Sequence, residues 1–180
     1  MSINFSTGGS QHFPMKAGIN YDQVVKTATW STDSDSFVDV SDFSVTITPT
    51  LASSRMLIVA RIMAAPSMYV GFLRILRGST DFYNGTASGN RSGVSLQCFM
   101  NPGDAAHGPM NLVQTQVYID HPDTTSPVTY KLQASGRHDN QDNGNIKINY
   151  TVQDRNTSST FDNRGISHMT VIELAAPGSL

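Results

Sequence analysis

The sequence has few of the residues on which helical, disulfide-linked or strongly charged proteins depend. Cys98 is the only cysteine in 180 residues, Glu173 is the only glutamate, and there are four lysines. One cysteine excludes an intrachain disulfide, and the scarcity of Glu and Lys removes the usual residues of exposed helix faces. The net charge of −2 provides no basic surface for nucleic acid, and no run of about 18 apolar residues is present. We therefore expect neither a nucleic-acid partner nor a membrane partner.

The abundant residues are those of strands and turns. The chain contains 17 Thr, 13 Val and 11 Ile, together with 21 Ser, 14 Gly and 12 Asn. β-Branched side chains favour strands, whereas Gly, Asn and Ser favour turns. This composition predicts an all-β protein and argues against bundles, coiled coils and alternating βαβ folds.

The pattern of apolar residues predicts about nine strands separated by polar turns. Phe43, Val45 and Ile47 alternate with polar residues, and Pro49 ends that strand. The predicted strands are 24–31, 37–48, 55–64, 69–77, 94–100, 111–120, 127–135, 145–153 and 167–174. Such spacing is typical of an antiparallel β-sandwich, jelly-roll-like in its organisation.

The N-terminal segment differs in composition from the rest of the sequence. Residues 1–22 combine Gly and Ser with scattered apolar residues, and we interpret them as an extended N-terminal arm that a neighbouring subunit holds. Residues 23–180 form the predicted sandwich domain. Segment 55–64 is almost continuously apolar, which predicts burial on both faces. The expected core residues are Trp30, Phe43, Val45, Ile47, Leu57, Val59, Leu132 and Ile148.

No arrangement of residues marks a catalytic or metal site. None of the five histidines pairs with another at ligand spacing, and Cys98 lies within an apolar strand, which favours a core position. Segments 33–35 and 139–145 depart from calcium-loop patterns. We expect no enzyme activity and no cofactor. Aromatic residues near predicted loops (Tyr69, Phe72, Phe82 and Tyr83) leave carbohydrate binding open as an alternative.

Charge is distributed unevenly along the chain. Residues 31–50 contain four aspartates and no base, whereas residues 51–100 contain five arginines and one aspartate. These segments are either solvated strand edges or complementary patches that steer subunit contacts. The residues expected at a subunit or capsid interface are Phe5, Phe13, Tyr21, Arg55 and Arg91.

Three segments, taken in order, resemble a known family. They are residues 36–49 with 53–58, residues 76–80, and residues 120–133, followed by the closing strand 167–174. This order resembles β-rich virion proteins of tailed, often aquatic, bacteriophages, which are described as tail-fibre-like or structural. Members of that family usually have Gly-Leu where this chain has Asp42-Phe43.

The resemblance implies a place in a phage particle, assembled in the bacterial host cytoplasm. One expected role is a capsid decoration (cement) protein that contacts the major capsid protein and itself, as a homotrimer by family analogy. The absence of a long shaft sequence and the presence of the arm favour this role. The alternative is a tail-associated protein that binds a host surface glycan through loops 78–93, 101–110 and 136–145. Hydrolysis of polysaccharide is a third and weaker reading.

Overall fold

The computed structural model describes residues 20–67, 70–81, 83–99, 112–136, 138–139, 142–156 and 162–174. The strands in these residues are β1 (Tyr21–Lys26), β2 (Trp30–Thr32), β3 (Val38–Ile47), β4 (Arg55–Pro66), β5 (Val70–Arg77), β6 (Thr80–Asp81), β7 (Leu96–Phe99), β8 (Leu112–Asp120), β9 (Val128–Gly136), β10 (His138–Asp139), β11 (Asp142–Asn143), β12 (Ile146–Ile148) and β13 (Ser167–Leu174). The all-β prediction is confirmed. The count exceeds nine because several additional strands have only two or three residues.

The strands form two main antiparallel sheets and a small hairpin of β10 and β11. In the six-stranded sheet, β13 and β12 follow one another along one side of β4, and β8 pairs with the opposite side. The long strands therefore run in the order β1-β13-β4-β8, and those of the second sheet in the order β3-β9-β5-β7. This interleaved order is that of a jelly roll, as the strand pattern predicts.

The core lies between the two sheets. Fully buried side chains from the first sheet include Ile58 and Met169, and those from the second include Phe43 and Tyr130. Their burial supplies most of the favourable free energy of folding. Five of the eight predicted core residues are buried: Phe43, Val45, Ile47, Leu132 and Ile148. Trp30 is partly buried and packs against this core.

The prediction for Leu57 and Val59 is wrong. Both side chains are only partly buried, because they alternate with the buried Met56 and Ile58 and point away from the second sheet. Strand β4 is central in its sheet, but from Arg55 to Arg61 its outer side is not covered by another layer within the described residues. An apolar sequence on both faces therefore does not mean burial on both faces here.

One predicted strand is shorter in the structure than its sequence pattern suggests. Strand β12 ends at Ile148, not at residue 153, because Asn149 adopts a positive φ of 67°. The Asn149 amide donates hydrogen bonds to the carbonyl oxygens of Lys26 (2.8 Å) and Ala28 (3.1 Å), and its oxygen accepts one from Ser167 (2.6 Å). Asn tolerates this left-handed conformation well, and the network replaces the strand's ladder.

A bulge interrupts β3 where the resemblance predicts glycine. The register with β9 shifts between Asp39 and Ser44, and Asp42 inside this bulge has a φ of 56°. Glycine adopts this region without a steric penalty. The Gly-Leu usual in the resembled family thus corresponds to a position where the backbone favours glycine.

Candidate interaction face

The outer side of the six-stranded sheet is the feature that most needs a functional explanation. The strand registers align its outward side chains in rows across β1, β13, β4 and β8. The first row is entirely apolar, and the second and third mix apolar with polar residues. These rows are Tyr21-Ile172-Leu57-Ile119, Gln23-Thr170-Val59-Val117 and Val25-His168-Arg61-Thr115, and Met63-Val113 extends them on β4 and β8. We call this surface the apolar face.

Several side chains of the apolar face are strongly exposed. Val117 is 61% exposed, Tyr21 53%, Val25 49%, Val113 49% and Ile119 41%. Exposed apolar residues scattered singly are ordinary, but a contiguous set on one sheet marks an interaction surface. The exposure therefore indicates a face that a partner covers.

The outer side of the second sheet can be compared with the apolar face. Most of its outward side chains are polar and several make hydrogen bonds with one another, although Phe72 and Leu76 of β5 also lie on this side. Thr46 and Thr129 hydroxyls lie 2.8 Å apart, and Lys131 forms a 2.8 Å ion pair with Asp39. Antiparallel sheets usually present such a polar side to water. Among the described strands, the strongly exposed aliphatic side chains lie on the six-stranded sheet.

The sequence-predicted interface residues fall in different places. Tyr21 and Arg55 lie on the apolar face, at the first residues of β1 and β4. Arg91 lies in an exposed loop, where its side chain donates to the carbonyl oxygen of Ser88 (3.3 Å) and to its hydroxyl (3.2 Å). Phe5 and Phe13 lie outside the described residues, as does most of the predicted arm.

A buried polar cluster at Asp120 anchors the end of β8 to the second sheet. Asp120 is 7% exposed and accepts hydrogen bonds from Arg77 (2.9 and 3.0 Å) and from the hydroxyl of Tyr130 (2.7 Å). Burial, and then the hydrogen bond to Asp120, raises the pKa of Tyr130, which stays protonated and remains a donor. A buried carboxylate with three such bonds is a charge-assisted anchor. It sets the position of the last residues of β8.

Tyr83 also contacts this end of β8. Its ring lies 4.7 Å from that of Tyr118, and its hydroxyl donates to the carbonyl oxygen of Ile119. Tilted aromatic pairs of this kind are favourable beyond their buried area. The outward residues of β8 are therefore presented on a well-anchored strand.

A second candidate site is an open cleft of about 440 Å³ beside the second sheet. Its lining includes Phe37, Arg74, Asp81, Tyr83 and Asn84. The Arg74 guanidinium lies 4.1 Å from the centre of the Phe37 ring and 3.1 Å from an Asp81 oxygen. The exposed Tyr83 ring beside charged side chains is suited to contact with a sugar. Of the aromatic residues suggested by the sequence, only Tyr83 lines this cleft in the described part of the chain.

No metal-binding cluster accompanies these surfaces in the residues that the structure describes. They contain no group of three or more His, Cys, Asp or Glu side chains placed to hold an ion. Cys98 is fully buried, as predicted, and burial raises the pKa of its thiol to about 11. Such a thiol is protonated and unreactive at neutral pH. No helix in the described part of the chain is long and apolar enough to span a membrane.

Comparison with known proteins finds partly similar solved structures but no matching sequence. No protein-family model and no curated protein matches the sequence. A chain in the structure of infectious bursal disease virus Gx strain is 14% identical, with a TM-score of 0.42. A chain in the crystal structure of the infectious bursal disease virus VP2 subviral particle is 12% identical, with a TM-score of 0.38. Each match covers 97% of this chain and 46% of the other, so this chain spans less than half their length.

Proposed function

We propose that this chain is a non-enzymatic structural protein of a tailed-bacteriophage particle, and specifically a capsid decoration protein. Its partners in this proposal are the major capsid protein and further copies of itself, as a homotrimer, and it requires no cofactor. The observation that carries the proposal is the apolar face, which a protein working alone in water would not maintain. The sequence resemblance to phage virion proteins supplies the setting.

The physical basis of decoration is preferential binding to the assembled shell. A protein that binds the shell but not its dissociated subunits stabilises the shell by mass action. Exposed side chains such as Val25 and Val117 gain free energy when the capsid surface removes them from water. Because a shell presents many equivalent sites, modest binding at each one adds up over the particle.

The location is tested by counting copies in purified virions. Quantitative mass spectrometry against the major capsid protein should give a number comparable to that of the capsid protein. A small multiple of three or six would instead place the chain on the tail and contradict the decoration role.

The contact surface is tested with a matched pair of substitutions. Val25→Asp places a charge on the exposed β1 side of the apolar face, and Ser44→Asp places the same charge on the polar side of the second sheet. Binding to shells that lack the protein should fall at least about tenfold for Val25→Asp. Ser44→Asp should bind like the unmodified protein. Equal binding by all three proteins would rule out this side of the apolar face as the capsid contact.

The second candidate function is host-surface binding by a tail-associated protein, and the Arg74–Asp81 cleft favours it. Sugar binding there would be weak per site and strengthened by multivalency. Glycan arrays and host-cell binding, compared between the unmodified protein and Asp81→Ala, test this function. Loss of a measured glycan signal in that variant would support it, whereas the absence of any glycan or cell binding by the oligomer would refute it.

A further inference from the structure

The free edge of β8 is protected less than the other long strand edges. Strand β8 has nine residues, and within the described part of the chain it pairs only with β4. It contains neither a charged residue nor a proline from Leu112 to Ile119. Natural proteins usually blunt an exposed edge with charge, proline, a bulge or short length. An unprotected edge of this length can pair with another strand.

The remaining edges show the protections that β8 lacks. Strand β1 carries Asp22 and Lys26, and β3 carries Asp39 and the bulge at Asp42. Strands β2, β6 and β7 have only three, two and four residues. The contrast within one molecule indicates that the edge of β8 is open because it is used.

We propose that β8 pairs antiparallel with β8 of a second copy of this chain, about a two-fold axis at Thr115. A two-fold contact is isologous, so each residue must suit its own symmetry mate. In this register Thr115 faces Thr115 of the partner subunit, and Val113 faces Val117 of the partner subunit. Thr–Thr and Val–Val are favourable cross-strand pairs, and they unite the apolar faces of the two copies.

The far end of β8 disfavours registers centred later than Thr115. The Ile119 carbonyl already accepts the Tyr83 hydroxyl, and Asp120 is held inside by Arg77 and Tyr130. Pairing centred on Thr115 uses residues 113–117 and leaves both arrangements intact. A register centred one residue later would place Ile119 within the ladder and compete with Tyr83. A two-fold contact does not build a trimer, so it would join copies from different trimers where the homotrimer forms.

Cross-linking through Thr115 tests the register on the full-length protein. Thr115→Cys places thiols next to each other at the axis. Gln23→Cys places an exposed thiol on β1, which lies on the same face but at the opposite edge of the sheet. A short bis-maleimide should link Thr115→Cys into dimers several-fold more efficiently than Gln23→Cys. Cys98 is fully buried and remains in both proteins. Equal cross-linking by the two variants would overturn the proposal.

Charge at the axis provides a second test that does not require a thiol. Thr115→Lys puts two cations face to face, beside Arg61 on β4 of each copy. Self-association by sedimentation equilibrium should weaken at least about tenfold, and Gln23→Lys should behave like the unmodified protein. Adding Thr115→Glu protein to Thr115→Lys protein should restore association. The absence of self-association in the unmodified protein, or its loss only on deletion of residues 1–19, would refute pairing through β8.

Discussion

Glu173 should make the stability of the domain depend on pH between about 4.5 and 2. Its carboxylate accepts hydrogen bonds from the Thr50 backbone (2.7 Å), the Thr50 hydroxyl (2.6 Å) and the Asn20 amide (3.0 Å). Burial alone would raise the pKa of Glu173. Hydrogen bonds from Ser54, Thr50 and Asn20 outweigh that effect and lower the pKa from 4.5 to about 2. One side chain thus ties the start of β1 and the 48–54 turn to β13.

The magnitude follows from this change in proton affinity. Each tenfold change in proton affinity corresponds to about 1.36 kcal/mol. The fall of the Glu173 pKa from 4.5 to about 2 therefore corresponds to about 3.4 kcal/mol. Glu173 is only partly buried, and solvent screening reduces the contribution to about 1–2 kcal/mol. Because the folded-state pKa is depressed, this stabilisation is complete above pH 4.5. It is lost as the pH falls through about 2.

Urea unfolding of the unmodified protein and of Glu173→Gln measures this contribution. At pH 7 the variant should have a free energy of unfolding lower by about 1–2 kcal/mol, and the difference should shrink towards zero near pH 2. Asp33→Asn makes the matched acid-to-amide change at an exposed carboxyl and serves as the control. A Glu173→Gln deficit of the same size at pH 7 and pH 2 would refute the electrostatic reasoning.

Three further predictions concern individual side chains. Tyr130→Phe removes a donor from buried Asp120 and should lower the free energy of unfolding by about 1.5–3 kcal/mol in urea titrations, and no change would contradict the anchoring role. Asp42→Gly relieves the positive φ at the β3 bulge and should leave stability equal or raise it by up to about 1 kcal/mol, whereas Asp42→Val should lower the melting temperature. Cys98, with its thiol pKa raised to about 11, should react with Ellman's reagent at pH 8 only after unfolding, and rapid labelling of the folded protein would contradict its burial.

The local pattern of the sequence was sufficient for most of the fold. Strand 167–174 is predicted with the bounds that β13 has, and 111–120 differs from β8 by one residue. Alternation is a local property, so it can be recognised without knowing what a strand pairs with. The prediction of a strand over 145–153 was wrong in its second half, because the Asn149 side chain makes hydrogen bonds to residues more than 120 positions away. Hydrogen bonds to residues so distant in the sequence cannot be recognised from the local pattern.

The candidate site could be predicted only in fragments, because it is made by strand order. Tyr21 was expected at an interface, but its neighbours Ile172, Leu57 and Ile119 come from three distant parts of the chain. Leu57 was assigned to the core, since hydrophobicity alone does not tell an intramolecular contact from an intermolecular one. The row of four side chains can be recognised only when the registers between β1, β13, β4 and β8 are known.

Arg61 is the signal in the sequence that distinguishes the two sides of β4. The inner series of the strand (Met56, Ile58, Ala60 and Ile62) is apolar without exception and has no exposed surface. The outer series includes Arg61, which pairs across the strands with His168 and Thr115. A cation in the middle of a core-facing series would require a buried counter-charge, whereas a surface for a partner accepts a cation because it is solvated before assembly. In a strand apolar on both sides, the side that carries such a charge is therefore the one that faces away from the core of the single chain.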